Sequence, residues 1–534
     1  MEASVGRSTR ADGPASIRTL SVRIREETWS APPEPTAEPA HRHEKGNTIV
    51  MRGIVSIAGY VPYRRLQRAA VGQVFTSGGG KGARSVASHD EDTTTMGVEA
   101  ARLALRTAPG AAPENIFFAT ASPAYLDKTN ATTIHGALRQ PAHVAAFDFG
   151  GALRSGTGAL RTSLAAAGSG TALVVLADLR DGLPTSADES AGGDGAAAVV
   201  VGDDGPGTPV IADYLGGASV SDEFLDRWRT PGERRSKVWE ERFGETRYLP
   251  LGSQAWDAGL KHAGLTAEQV DHVVVTGMHG RAVKALGRKL GVRDGALADD
   301  LSSTVGQTGT AHPGLVLASM LEYAEPGQIV AVVALADGAD VLLFRTTDAL
   351  GAWHPWATVA DQIAGGADLP YGKFLTWRGM VTPEPPRRPE PQRVSSSAAW
   401  RNEDWKFGFV GSRDRTSEAV HLPPARISRE GGAVDDMEPI GRADTIATIA
   451  TYTIDHLSYS ASPPIVFAVL DFDGGGRFPV ELTDVDATTV DIGDRVTMTF
   501  RKLYTADGIH DYFWKAKPVA APDRATDAPA PVGV

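Results

Sequence analysis

Between residues 50 and 346, β-type runs alternate with helical patterns, and this alternation constrains the chain more than any other feature in it. IVSIAGYV (54–61) reads as a strand, and TTTMGVEAARLALRTA (93–108) as an amphipathic helix with small and apolar residues on one face. NIFFATAS, HVAAFDFGG, TALVVLADLR and AAAVVVG read as further strands. DHVVVTGMHG (271–280) is a strand running into a turn, with the helix VKALGRKLG behind it. QIVAVVALADGADVLLFR (328–345) reads as two strands about a tight turn at Asp337-Gly338. Strands alternating with helices imply sheets covered on both faces, an α/β domain. Two similar halves, each with a strand ending in a functional turn, suggest an internal duplication.

The pattern then changes. TPEPPRRPEPQRVSSS (382–397) is too proline-rich for a helix or a central strand and predicts an extended connector, within a linker over 347–399. TIATIATYTIDHLSYS, PIVFAVLDFD, GRFPVELTDV and DRVTMTFRKLYTADGIHDYFWKAKP follow as an all-β pattern. Short strands at this density fit a small barrel such as an OB-fold over 400–520. Residues 1–49 are rich in Pro, Ala, Glu and Arg and predict a disordered extension, with Met51 as the natural beginning of the folded part. Residues 521–534, rich in Ala and Pro, predict a disordered tail.

Composition removes several function classes. A net charge of −12 disfavours nucleic acid as a partner, because phosphate binding needs a concentrated basic face. No apolar run approaches the roughly 18 residues of a membrane span. No targeting signal is evident, which points to the cytoplasm. The chain has no cysteine, so disulfides, thiolate metal sites and thiol nucleophiles are absent together.

That absence matters at FDFGGALRSGTGAL (147–160), a strand, a small-residue turn and a helix start. Such a turn commonly presents a nucleophile at a helix N-terminus. Here its apex carries Ala152 and Leu153, which cannot attack anything.

Residues 51–346 resemble the thiolase superfamily, closest to its 3-hydroxy-3-methylglutaryl-CoA synthase branch. The resemblance runs through HDEDTTTMGVEAARLAL, FDFGGALRSGTGAL, GGDGAAAVVVG, FLDRWRTPGER, VVVTGMHGRAVKALGRKLG and VGQTGTAHPGLVLASMLE, in that order. Residues 400–518 resemble the OB-fold proteins with a zinc ribbon that partner or fuse to acyl-CoA-handling thiolase-like enzymes. The implied architecture is a thiolase-like αβαβα layered fold joined to a C-terminal all-β OB-fold barrel. It implies a homodimer, an acyl-CoA substrate, and a thiolase-like partner subunit as a further candidate partner.

Carried over residue by residue, the resemblance puts the family's acyl-carrying cysteine on Leu153. Its proton-moving glutamate falls on Glu91 and its thioester-holding histidine on His279, the two expected catalytic residues. Lys284 matches a downstream lysine. In VGQTGT, Gln307 stands where the family has a carbonyl-orienting asparagine, and Gly306 and Gln307 are expected at the substrate with Leu153 and Lys284. The zinc-ribbon cysteines fall on Asp414, Ser417, Ser428 and Gly431, a set unsuited to tetrahedral zinc, so no zinc and no cofactor besides the CoA thioester is expected.

Acid/base groups thus remain and the covalent step is gone. Aldol or retro-aldol chemistry on a CoA thioester needs a base and donors for the enolate oxygen but no acyl-enzyme. Two other readings stay open: acyl transfer with another nucleophile such as Ser155, and a non-catalytic acyl-CoA-binding scaffold.

Ordinary structural roles stand beside each assignment. Glu91 opens a helix, where the dipole favours acid regardless of catalysis. His279 fits a satisfied structural side chain, Gln307 a loop-backbone partner and Lys284 a solvated helix lysine. His312 and Asp337 are candidates by position only. The loop TSGGGKGAR (76–84) lacks P-loop spacing and is expected near the substrate entrance, with Lys81 and Arg84 by the CoA diphosphate. Tyr512, Phe513 and Trp514 could suggest a base-stacking platform, but strand alternation and the acidic charge favour core and interface.

Overall fold

The computed structural model describes residues 51–519 except 167, 169, 386, 388 and 390. The expected extension over 1–49 and tail over 521–534 lie outside the described residues.

Nine strands build the main sheet: β1 (Arg52–Tyr60), β2 (Pro113–Thr120), β3 (Ala145–Gly150), β4 (Thr171–Asp178), β5 (Gly195–Asp203), β6 (Ala212–Ser221), β7 (His272–Gly277), β8 (Ile329–Leu335) and β9 (Gly338–Thr346). Their order is β7-β8-β9-β6-β1-β5-β4-β2-β3. Strand directions repeat from each edge inward. From one edge β3, β2 and β4 run parallel, β5 runs against β4 and β1 against β5; from the other, β7 and β8 run parallel, β9 runs against β8 and β6 against β9. The halves meet where β1 pairs β6 through Gly53 and Ile54.

Burial on both faces explains the apolar strands. Along β5, Ala196, Ala198 and Val200 face one core cluster and Ala197, Val199 and Val201 another. Five layers result. An outer helix α1 (Thr93–Arg106) covers the first half-sheet with Met96, Val98, Ala101 and Ala104. Helices α2 (Ser155–Ala165) and α5 (His312–Leu321) lie between the halves, sharing a core with β5 and with Leu342 and Phe344 of β9. The outer helix α3 (Glu241–Ala263) covers the second half with Tyr248, Trp256 and Leu260, while α4 (Gly280–Gly287) follows β7. This is the αβαβα arrangement.

Within 347–399, read from sequence as a linker, the structure places ordered elements as well. Ala367–Asp368 pairs with Arg64–Gln67, and the helix Tyr371–Trp377 buries Tyr371, Phe374 and Leu375 against Leu66 and Val86. Beyond it, β10 (Ala447–Asp455), β11 (Ile465–Phe472), β12 (Arg477–Leu482), β13 (Arg495–Ala506) and β14 (Ile509–Pro518) close a five-stranded barrel. Its core holds Ala468, Leu470, Phe500 and Trp514, and Tyr512 is buried too, so the aromatic run serves packing.

The barrel docks on α1. Arg102 donates to the Met498 carbonyl at 2.9 Å and pairs with Glu99 at 2.8 Å and Asp444 at 2.9 Å. One apolar cluster runs through both lobes. No helix among the described residues is long and apolar enough to cross a membrane.

Candidate functional site

The turn after β3 does face a cavity, of about 120 Å³. Gly151, Ala152 and Leu153 form one wall, Leu335, Ala336 and Asp337 at the end of β8 another, and Met278 past β7 a third. Tyr248 of α3, Arg180 past β4 and the segment Asp226–Arg229 complete it.

Arg154 fixes this turn in place. It donates to Asp340 at 2.8 Å, to the Asp337 carbonyl at 2.8 Å and to the Ser219 and Ser221 hydroxyls at 2.8 Å each. One guanidinium therefore ties the turn of the first half to the β8–β9 hairpin and β6 of the second. The turn without a nucleophile is a joint between the halves, and Leu153 is its apolar face toward the cavity.

Beside the apolar walls, the lining carries a cluster of charged side chains. Arg227 makes a bidentate pair with Asp188 at 2.8 Å, Arg180 lies 3.4 Å from Asp178, and Arg229 donates to the Ala121 carbonyl. Burial, with Arg180 nearby, lowers the Arg229 pKa. Burial raises the pKa of Asp226 against the pull of His279 and Arg227. It raises Asp337 likewise, with Arg154 opposing and Asp226 adding to it. Two carboxyl groups held toward their neutral form beside arginines can exchange a proton and stabilise an oxyanion.

His279 stands next to this cluster. A Cβ on Gly244 would come within 2.5 Å of Asp226 Oδ1 and 2.6 Å of His279 Cδ2, so only glycine lets α3 pass that close. His279 Nδ1 accepts the Ala282 N–H at 3.2 Å, capping α4, which leaves the ring proton on Nε2, donated to the Glu241 carbonyl at 2.7 Å. Gln307 is tied to the end of β7, donating to the Thr276 hydroxyl at 2.9 Å and the Gly277 carbonyl at 3.1 Å. Gly306 beside it has φ +85°, and a Cβ there would sit 2.5 Å from the Gly192 carbonyl oxygen. Lys284 is exposed on α4 and is not among the cavity's lining residues.

Glu91 lies elsewhere. Neither it nor its partners line the Leu153 cavity. The side chain is buried between the lobes, accepting from the Tyr60 hydroxyl at 2.5 Å and the Ser88 N–H at 2.8 Å, with Arg501 of β13 at 2.7 Å. Arg501 also holds Asp484 at 2.6 Å, and Lys515 of β14 holds Asp90 at 3.0 Å. One guanidinium shared between two buried carboxylates cannot neutralise both, and burial pushes Glu91 up to about 7. The structure thus sets Glu91, expected as the base, at the contact between the lobes and away from the Leu153 cavity.

Arg84 is a second correction. It is fully buried, donating to the Glu189 and Arg180 carbonyls at 2.8 Å each, and is not free to meet a diphosphate, whereas Lys81 is exposed. At the zinc-ribbon positions, Asp414 accepts from the Ser417 hydroxyl at 2.7 Å and the Thr416 N–H at 2.8 Å. Ser428 donates to the Glu430 carbonyl at 2.7 Å, and Gly431 offers no side chain. One carboxylate and two hydroxyls in a hydrogen-bonded knot do not fit a tetrahedral zinc ion.

Asp226, Arg227, Arg229 and Tyr248 were not singled out by sequence. The signal was present in FLDRWRTPGER, but a dense charge run ordinarily marks a solvated face, and only packing against α3 and β8 turns it inward.

Residues 442–501 match the C-terminal OB-fold domain of ChsH2. The hydroxymethylglutaryl-CoA synthase of Thermococcus gammatolerans is 30% identical over 295 residues, 54% of this chain and 83% of that protein. That of Methanosphaera stadtmanae is 28% identical over 314 residues, 56% of this chain and 88% of that protein. Among solved structures, MvaS in complex with 3-hydroxy-3-methylglutaryl coenzyme A superposes with a TM-score of 0.53 at 20% identity, over 64% of this chain and 96% of that one. HMG-CoA synthase complexed with CoA gives 0.53 at 17% identity, over 61% and 90%. The structural likeness shows the thiolase-like fold; the sequence match, over most of the relatives' length, shows that this chain belongs to the hydroxymethylglutaryl-CoA synthase family, with an OB-fold domain added on its C-terminal side.

Proposed function

We propose that the chain binds an acyl-CoA thioester at the Leu153 cavity and makes or breaks the C–C bond beside the thioester by aldol-type chemistry, with no acyl-enzyme. The observation that carries this reading is the pairing of Leu153 with two carboxyl groups, the buried Asp226 and the more open Asp337, among arginines. In the cleaving direction, the Asp337 carboxylate takes the proton of a 3-hydroxyl group. The Cα–Cβ bond breaks, its electrons pass into the thioester enolate, and a proton returns to Cα. An aldehyde or ketone and a shortened acyl-CoA leave. Arg180 and Arg229 face the enolate oxygen, and His279, engaged at both nitrogens, positions α4 and Asp226. A homodimer fits this reading, because β3 is an edge strand and presents an exposed Phe147. We place the reaction in the cytoplasm.

The test is a chromatographic assay against a panel of 3-hydroxyacyl-CoA thioesters. A shortened acyl-CoA plus a carbonyl product is expected, reduced about 100-fold or more in Asp337→Asn and retained in Glu91→Gln. A second reading, an acyl-CoA-binding scaffold, is favoured by the Glu91–Arg501 lock. Unchanged thioesters across the panel, with binding measured separately, would select it. A covalent acyl group on Ser155, whose hydroxyl donates to the Gly150 carbonyl at 3.2 Å, would select acyl transfer.

A further inference from the structure

Between the α/β lobe and the barrel lies a second cavity, of about 460 Å³, which the chemistry above does not use. Tyr60, Val61, Leu103 and Trp356 form its wall on one lobe, and Ile446, Val485, Met498 and Val519 on the other. A concavity this large and this apolar, open to water, is what a small-molecule site offers, and its volume falls in the usual range for one.

Charged side chains also reach this cavity, and most of them have an opposite charge beside them within the protein. Arg102 pairs with Glu99 and Asp444, Arg106 with Asp444 at 2.9 Å, Lys517 with Glu99 at 3.5 Å, and Asp484 with Arg501. Arg106 further lies 4.8 Å over the Trp356 ring and Lys517 5.5 Å over that of Tyr60. Asp361 and Asp486 accept from the hydroxyls of Thr358 at 2.6 Å and Thr488 at 2.7 Å. A charged ligand group would have to break such pairs, and a neutral apolar one need only displace water. The two walls are also held at a set separation by the buried Arg501 and Lys515 ion pairs, so no lobe need be ordered on binding.

We propose that this inter-lobe cavity is a binding site for a neutral, predominantly apolar small molecule. The site belongs jointly to both lobes, and it stands or falls separately from the reaction assigned to the Leu153 cavity.

The test is a fluorescence titration of the full chain with the neutral probe N-phenyl-1-naphthylamine, in parallel with the anionic probe 8-anilinonaphthalene-1-sulfonate. The neutral probe is expected to saturate at one site per chain and to bind the more tightly. Leu103→Trp and Val485→Trp, one from each lobe, fill the cavity and are each expected to weaken it at least tenfold, with far-UV circular dichroism confirming the fold. Leu103→Phe, a smaller filling, gives an intermediate loss. The proposal is overturned by an absence of saturable binding, by unchanged affinity in both tryptophan variants, or by tighter binding of the anionic probe. Loss of the probe in Leu153→Trp instead would place it in the other cavity and overturn it equally.

Discussion

Arg501 shows how much one side chain can decide. It is fully buried and answers Glu91 and Asp484 at once, with the Tyr60 hydroxyl 3.3 Å away. Removing the cation in Arg501→Met leaves two carboxylates uncompensated in the interior, and a loss of roughly 3–5 kcal/mol is expected in chemical denaturation at pH 7.5. Without the guanidinium the Glu91 pKa in the folded state rises further. Its contribution is therefore kept at low pH and lost as pH rises, so the deficit against wild type should shrink as pH falls toward 5. A deficit independent of pH would remove Arg501 from this role. His312 carries the opposite sign. Burial lowers it to about 4, with Nδ1 accepting the Thr308 N–H at 3.2 Å and Nε2 donating to the Asp300 carbonyl at 2.9 Å. Its neutral form stabilises the fold above about pH 6.5, the unfolded value, and that stability is lost as pH falls from there toward 4. Thermal melts of His312→Gln across this window should show a shallower acid slope than wild type.

At the scale of elements, two local features serve purposes their sequence does not announce. His279 begins α4 as its N-cap, so His279→Ala should cost about 1 kcal/mol of stability in denaturant melts, and His279→Asn, which can cap, should recover most of it. If turnover of a hydroxyacyl-CoA falls in both variants, the imidazole acts in the chemistry; if it follows stability alone, the residue is a cap. The turn at Leu153 is legible from sequence as a nucleophile mount, and its retention without the nucleophile follows from Arg154, whose partners in β6 and the β8–β9 hairpin lie in the other half of the sheet. At the start of α1 the sequence reads with Glu91 opening the helix, whereas the structure makes Asp92 the N-cap, accepting the Thr94 and Thr95 N–H groups at 3.0 Å in a capping box. What the sequence concealed is that Asp92 also accepts from the Tyr512 hydroxyl at 2.8 Å, making the cap a contact with the barrel.

At the scale of the whole molecule, the barrel closes on Phe500, Trp514 and their neighbours, and the zinc-ribbon positions carry no thiolate. A strong chelator is accordingly expected to leave the thermal midpoint unchanged; a fall of several degrees would reveal a structural ion. The alternation of strands and helices, the change to an all-β pattern past the proline-rich stretch and the missing thiol were written in the sequence, because periodicity and residue chemistry are local properties. The five layers follow from that periodicity once both faces of the strands are buried. Which charges face which was not local. Glu91 meets Arg501, Arg154 meets Asp340, and Asp226, Asp337 and Arg180 meet across one cavity, each pair brought together from distant parts of the chain. A charge in sequence is solvated by default, and only the packing of lobe on lobe and half on half withdraws water from it and gives it a partner.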